Sequence, residues 1–321
     1  MFVKRMIADF IKIVKKVVLK IFQFMENKWF KIAAIIILLV FSVNFVFKQF
    51  FELRETITNL TPNVIYLGIS FTIFLITVLL SVYSWRFSIA AFGFSFSWID
   101  IAHAQMLSMI GKYIPGHIWN YSSKIYLSYK MGFPIKLSGF AVVIEMVITY
   151  LIAINLLFIF FPTTIISFSS NWLIVPRLLG SINLALMILA PLLFSKKFRE
   201  RFFVKSQSNF IIVIIIRLIL WVLPSYAFIL LILSLGYPGI GISHAISAIT
   251  SSFFVGFIAV FVPDGFVVRE ALIIFFLSNT LSTADATLIS LVFRFQMVLV
   301  DFTAVIIVIL IKKVRNLLLN K

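Results

Sequence analysis

Residues 253–279, FFVGFIAVFVPDGFVVREALIIFFLSN, join features that a lipid-exposed helix does not tolerate together. An apolar run is broken at Pro263-Asp264-Gly265, and Arg269-Glu270 follows directly before another apolar run. An ionisable side chain near a bilayer centre costs about 2.5–3.5 kcal/mol on insertion scales, so such residues face protein or a wet cavity. The N–H and C=O groups freed by the break are restricted in the same way, because hydrocarbon offers them no partner. The stretch therefore reads as a re-entrant pair of half-helices meeting inside the protein.

The rest of the chain supplies a membrane-embedded frame for that pair. Six runs, 32–51, 63–84, 137–161, 172–194, 210–235 and 287–311, are long and apolar enough to cross a bilayer, which takes roughly 20 residues. Two further regions, 100–130 and 244–278, are apolar but interrupted by proline and glycine. Of 321 residues 62% are hydrophobic and 12% charged, against about 25% charged in soluble domains. The expected fold is an all-α integral membrane protein with six full spans, two re-entrant broken-helix regions and an inverted repeat. Three segments follow: an amphipathic basic helix over 1–31, the transmembrane domain over 32–311 and a basic tail over 312–321.

The net charge of +17 is explained by topology rather than by nucleic acid. Segments 1–31, 86–136, 195–209 and 312–321 hold 22 of the 28 lysines and arginines. Placing all four in the cytoplasm satisfies the positive-inside rule, with both termini on the cytoplasmic side of the cell membrane and Trp29, Trp85 and Trp172 at span ends. Lys4, Arg5, Lys12, Lys15, Lys16 and Lys20 share one helical face opposite Phe2, Ile7, Phe10, Val14, Val17 and Ile21, the pattern of a helix lying on an anionic surface. The lysines interrupt any signal-peptide core, so a cleaved leader is not expected. Without cysteine there is no disulfide, thiolate nucleophile or Cys-based metal site. His103, His117 and His244 lack metal-ligand spacing, and no cofactor is expected.

In this orientation each half of the chain runs as two spans, a broken region and a third span, with opposite topology. His103-Ala104 precedes Tyr113-Ile114-Pro115-Gly116, and His244-Ala245 precedes Phe261-Val262-Pro263-Asp264-Gly265, although His to Pro is 12 residues in one and 19 in the other. Inverted repeats whose discontinuous helices meet near the midplane characterise transporter folds.

Two motifs carry a resemblance. GKYIPGHIWNYSSKIYLSYKMG at 111–132, with Glu145 in the next span, and FVPDGFVVREA at 261–271 resemble the flippase-like membrane domain of lysylphosphatidylglycerol synthases, also called multiple peptide resistance factors. The resemblance extends from about residue 32 to 311. It departs at Asp264, where the family commonly has the first glycine of Pro-Gly-Gly. It implies a protein that translocates or binds an anionic phospholipid or a polyprenyl-phosphate-linked sugar between leaflets. The short tail after 311 implies a stand-alone member without the aminoacyltransferase domain, and so no enzyme.

Candidate site residues follow from buried charge. Arg217, Arg269 and Arg294 lie in apolar stretches, as do Glu145, Glu270 and Asp301, and at about 3 kcal/mol each they must compensate one another. Arg294 and Asp301, seven apart, share a helical face and read as a structural buttress. Arg269 is the foremost candidate for a lipid phosphate, because it opens a helix whose free N–H groups and positive dipole end also favour an anion; its alternative role is neutralisation by Glu270 or Glu145. Lys112 and Tyr113 occupy the matching break of the first half and, with Arg217, complete the headgroup set. Trp119, Tyr121 and Tyr126 read as interface anchors before a sugar platform, and His103 and His244 as core histidines before proton relays.

Membrane lipids are thus the implied partners. A separate glycosyltransferase or lipid-modifying enzyme and a second copy in a homodimer are further candidates. Two alternatives compete with translocation: a multispan glycosyltransferase using Glu52 and Glu55 on a lipid-linked donor, and a non-transporting scaffold for a separate transferase. No G-x-x-x-x-G-K-[ST] loop occurs, so transport would draw on an ion gradient or the lipid's own gradient.

Overall fold

The computed structural model describes residues 61–114, 118–162, 174–193, 195–196, 204–237, 239–259 and 263–319. The amphipathic segment 1–31, the run 32–51, Trp29, Glu52, Glu55, Pro115, Gly116, His117 and Trp172 lie outside the described residues.

Nine helices follow among these residues: α1 (Val64–Ala91), α2 (Trp98–Met109), α3 (Ile118–Lys130), α4 (Ile135–Phe160), α5 (Ile174–Leu189), α6 (Gln207–Ser234), α7 (Ile242–Ile258), α8 (Val268–Leu277) and α9 (Thr283–Leu319). Short 3-10 turns cover Ile110–Tyr113, Ala190–Leu193 and Pro263–Gly265. Side-chain oxygens of Asn63, Ser97 and Ser206 cap α1, α2 and α6 by accepting from backbone N–H groups in the first turn.

Four helical stretches, α1, α4, α5 with its 3-10 extension, and α6, are long and apolar enough to cross a membrane. Six were expected. The run 287–311 is not one of these four; it is the middle of α9, a 37-residue helix with Arg294 and Asp301 in its interior face and Lys312, Lys313 and Arg315 near its end. The polarity is inside-out relative to a soluble protein. Ile174, Val175, Leu178, Leu179, Ile182 and Leu186 of α5 are exposed, whereas Lys124, Glu145, Asp264, Arg269, Glu270 and Asp301 are buried.

α1 and α6 pack together along their lengths. Ser70 Oγ donates to the Ala227 carbonyl at 2.7 Å and accepts from Gln296 of α9 at 3.0 Å, and Phe74, Phe228 and Phe293 pack as a ring cluster with centroids 4.9–5.4 Å apart. Gly180 lets α5 approach α4 so closely that a Cβ there would lie 3.1 Å from the Asn155 carbonyl oxygen, the small-residue packing typical of membrane helices.

α2 folds back on α3, and α7 on α8, so each interrupted region is a helical hairpin, and the turn at 110–113 touches the turn at 263–265. Exchanging α1, the α2/α3 hairpin and α4 for α6, the α7/α8 hairpin and α9 preserves the main contacts. α2 packs on α9 and α7 on α4; α3 packs on α4 and α8 on α9; α1 meets α9 and α6 meets α4. Asp100, in the first turn of α2, is held by Lys312 at 3.4 Å and Arg315 at 3.3 Å near the end of α9. Burial alone would raise its carboxyl, but the Ser97 hydroxyl and Arg315 outweigh it and hold the group below the ordinary carboxylate value.

Trp85 departs from its expected place. α1 continues to Ala91, so Trp85 lies inside the bundle, fully buried, with Nε1 donating to Ser128 Oγ at 3.2 Å and the Lys124 ammonium 4.0 Å from its ring centroid.

Candidate functional site

The touching breaks and the middle of α6 line a cavity of about 300 Å³. That is at the lower end of the roughly 300–1,000 Å³ of ligand pockets. Lys112, Arg217 and Arg269 reach it together with Asp264 and Asp301, and Tyr121, Tyr150, Trp221, Phe253 and Phe257 form aromatic walls. The three cations proposed from sequence as headgroup ligands thus share one space, although they are 105 and 52 residues apart in the chain.

The second break holds the most constrained backbone. Asp264 has φ 46° and ψ 31°, Gly265 φ 64° and Val267 φ 68°. For a β-branched residue such as Val267 this is strained geometry, costing about 1–3 kcal/mol and persisting only where its surroundings enforce it. Arg269 packs tightly beside this break. A Cβ on Gly256 would lie 2.7 Å from Arg269 Cγ and 2.8 Å from its Nε, and one on Gly265 would lie 2.7 Å from the Gly256 Cα and 3.0 Å from Arg269 Nε. The arginine is therefore threaded through a slot that two glycines leave open, with its guanidinium 4.2 Å from the Phe253 ring centroid.

Neither carboxylate expected to neutralise Arg269 is its partner. Asp264 takes that place, Oδ1 lying 3.0 Å from Arg269 Nη1. The pair is held by charge more than direction, because Nη1 and Nε make no hydrogen bond. Asp264 is thus the built-in anion of the site. It also meets Arg294, whose Nη1 lies 3.3 Å from Asp264 Oδ2, donates to the Asp264 carbonyl at 3.2 Å and lies 3.5 Å from Glu270 Oε1.

Arg294 and Asp301 do share the inward face of α9, but they do not pair. Seven residues correspond to a rise of about 10.5 Å, and each side chain finds a partner from a different hairpin. Asp301 pairs with Lys112 and accepts from the Tyr113 hydroxyl at 2.5 Å. Tyr113 is buried, its ring stacked on Phe302 at 6.1 Å. It positions Asp301 and is not among the residues lining the cavity.

Glu145 anchors the third group. It is paired with both Arg217 and Lys124, and the Ser84 hydroxyl bridges them, accepting from Arg217 Nε at 2.9 Å and lying 3.3 Å from Glu145 Oε1. Lys124 was not foreseen; it lies in the polar run SSKIYLSYK, which gives no apolar context to mark it as buried. Five basic side chains, Lys112, Lys124, Arg217, Arg269 and Arg294, therefore meet four carboxylates, Glu145, Asp264, Glu270 and Asp301, and Glu145 is shared by Lys124 and Arg217.

Tyr121 lies in the cavity wall with its hydroxyl 3.4 Å from that of Tyr150, which corrects its reading as an interface anchor. Gln105 was also missed; its Nε2 donates to Ser81 at 3.2 Å while Oε1, buried, has no partner. Pro224 lines the cavity from within α6, where proline withholds a hydrogen bond from the carbonyl four residues earlier. His103 and His244 are half-buried and neither lines the cavity. Pro263 and Gly265 form the observed 3-10 turn.

The chain matches no family model and no curated protein.

Proposed function

We propose that this is a cell-membrane protein that takes the anionic headgroup of a phospholipid or polyprenyl-phosphate-linked sugar into its central cavity and passes it between leaflets. The observation that carries the reading is the convergence of three cations, Lys112, Arg217 and Arg269, on one cavity inside an apolar-surfaced bundle. Cations gathered at one water-poor cavity attract an anion more strongly than they would in bulk water. Arg217, Arg269 and Lys112 are the residues that would meet it, guanidinium groups being suited to phosphate through parallel hydrogen bonds. The exchangeable packing of the two halves and the meeting of their breaks support an inverted repeat with two re-entrant hairpins, and both termini are assigned to the cytoplasm by the basic segments.

Reconstitution in vesicles with NBD-labelled phosphatidylglycerol, scored by dithionite accessibility, tests the function. Arg269→Lys keeps the charge facing Asp264 and the space in the glycine slot but loses the planar fork. The variant is expected to fold while losing most translocation and lipid copurification. A Lys variant that translocates like wild type refutes Arg269 as the phosphate ligand.

A further inference from the structure

Behind Arg269 lies a carboxylate that the anion site itself does not use. Glu270 is 5% exposed, its Oε2 is buried without a hydrogen-bond partner, and its Oε1 has one cation, Arg294 Nη1, at 3.5 Å. That nitrogen already serves Asp264 twice, through Oδ2 at 3.3 Å and the backbone carbonyl at 3.2 Å. Asp264, by contrast, has two guanidinium groups of its own, with Arg269 at 3.0 Å. Of the two acids Glu270 has the fewer cationic partners.

The charged groups around Glu270 come from three directions. Arg269 precedes it on α8, Asp264 comes from the break, and Arg294 comes from α9, with Asp301 two turns further along that helix. α7, the other helix packed on α8, has a single titratable residue, His244, in its first turn at the far end of the hairpin. Arg269, Arg294, Asp264 and Glu270 sum to zero. An anion entering the cavity beside Arg269 makes the group negative, and in low dielectric a further negative charge favours protonation of the least compensated carboxylate.

We propose that Glu270 takes up one proton when an anionic headgroup occupies the cavity beside Arg269, and releases it when the headgroup leaves. The proton comes from water, adds to a Glu270 carboxylate oxygen and removes one negative charge for each negative charge bound, so the loaded state is electroneutral. Translocation is thereby coupled to the proton gradient. This rests on the anion-site reading above, and the two fail differently.

The test uses the full-length protein in neutral detergent and dioctanoyl-phosphatidylglycerol, whose phosphodiester does not change charge between pH 5.5 and 8.5. Uptake of one proton makes wild-type Kd rise about tenfold per pH unit on the alkaline side. In Glu270→Gln the affinity is expected to stay at the wild-type acidic value throughout. Calorimetric titration of wild type in buffers of different ionisation enthalpy counts the proton directly, which keeps the test independent of how the variant folds. A pH-independent wild-type Kd with no proton taken up, or a Gln variant retaining the wild-type slope, overturns the coupling and leaves the anion site standing. No binding by wild type at any pH overturns both.

Discussion

Replacing Arg294 by Gln removes the hub of the second charged group. The Arg294 side chain is 13% exposed and that of Glu270 6%, so solvent screens the pair little. Removing one partner of a buried ion pair costs about 3–5 kcal/mol, because the other charge is left without compensation. Asp264 retains Arg269 at 3.0 Å after the change, whereas Glu270 loses the only cation within ion-pair distance among the described residues. The expected loss is therefore at the lower end, about 3 kcal/mol, and it should originate mostly at Glu270. Arg269→Gln should cost less, because Asp264 keeps Arg294 at 3.3 Å. Unfolding free energies of Arg294→Gln, Glu270→Gln and the double variant, measured in one detergent system, give a double-mutant cycle. A coupling of about 1–3 kcal/mol is expected, with the second substitution rescuing part of the first. Additive losses, or Arg269→Gln being the more damaging of the two arginine variants, would refute the assignment of Arg294 as the shared counter-ion.

The glycine slot makes a separate prediction. Gly256→Ala places a Cβ 2.7 Å from Arg269 Cγ, and overpacking of this kind costs about 1–3 kcal/mol; the variant should lose both stability and NBD-phosphatidylglycerol translocation, and normal behaviour in both would show that Arg269 is free to move. Single cysteines at Lys196 and Lys313, in a chain with none of its own, should resist impermeant thiol reagents in intact cells; labelling of either from outside overturns the orientation.

What the sequence determined by itself was the environment. Apolar runs of spanning length set the all-helical class, because an unpaired backbone cannot face lipid. The ends of α1, α4, α5 and α6 fall within a few residues of the apolar runs except where α1 continues past Trp85. The buried charges were legible for the same reason, since Arg217, Arg269, Arg294, Glu145, Glu270 and Asp301 stand out against their apolar neighbours. Lys124 does not stand out in its polar run, and only the packing of α3 on α4 and on Trp85 of α1 buries it.

Which charge meets which was decided by tertiary structure alone. Helical periodicity put Arg294 and Asp301 on one face, but a face says nothing about its opposite. The α2/α3 hairpin brings Lys112 to Asp301, and the α7/α8 hairpin brings Asp264 and Glu270 to Arg294. Asp264 could be read in the sequence only as part of the Pro263-Asp264-Gly265 break. In the structure, with positive φ at 264 and 265, it is the counter-ion of Arg269. The physical reason is range: backbone propensity and hydropathy act over a few residues, whereas the pairing of buried ions is set by contacts between segments up to 189 residues apart, as between Lys112 and Asp301.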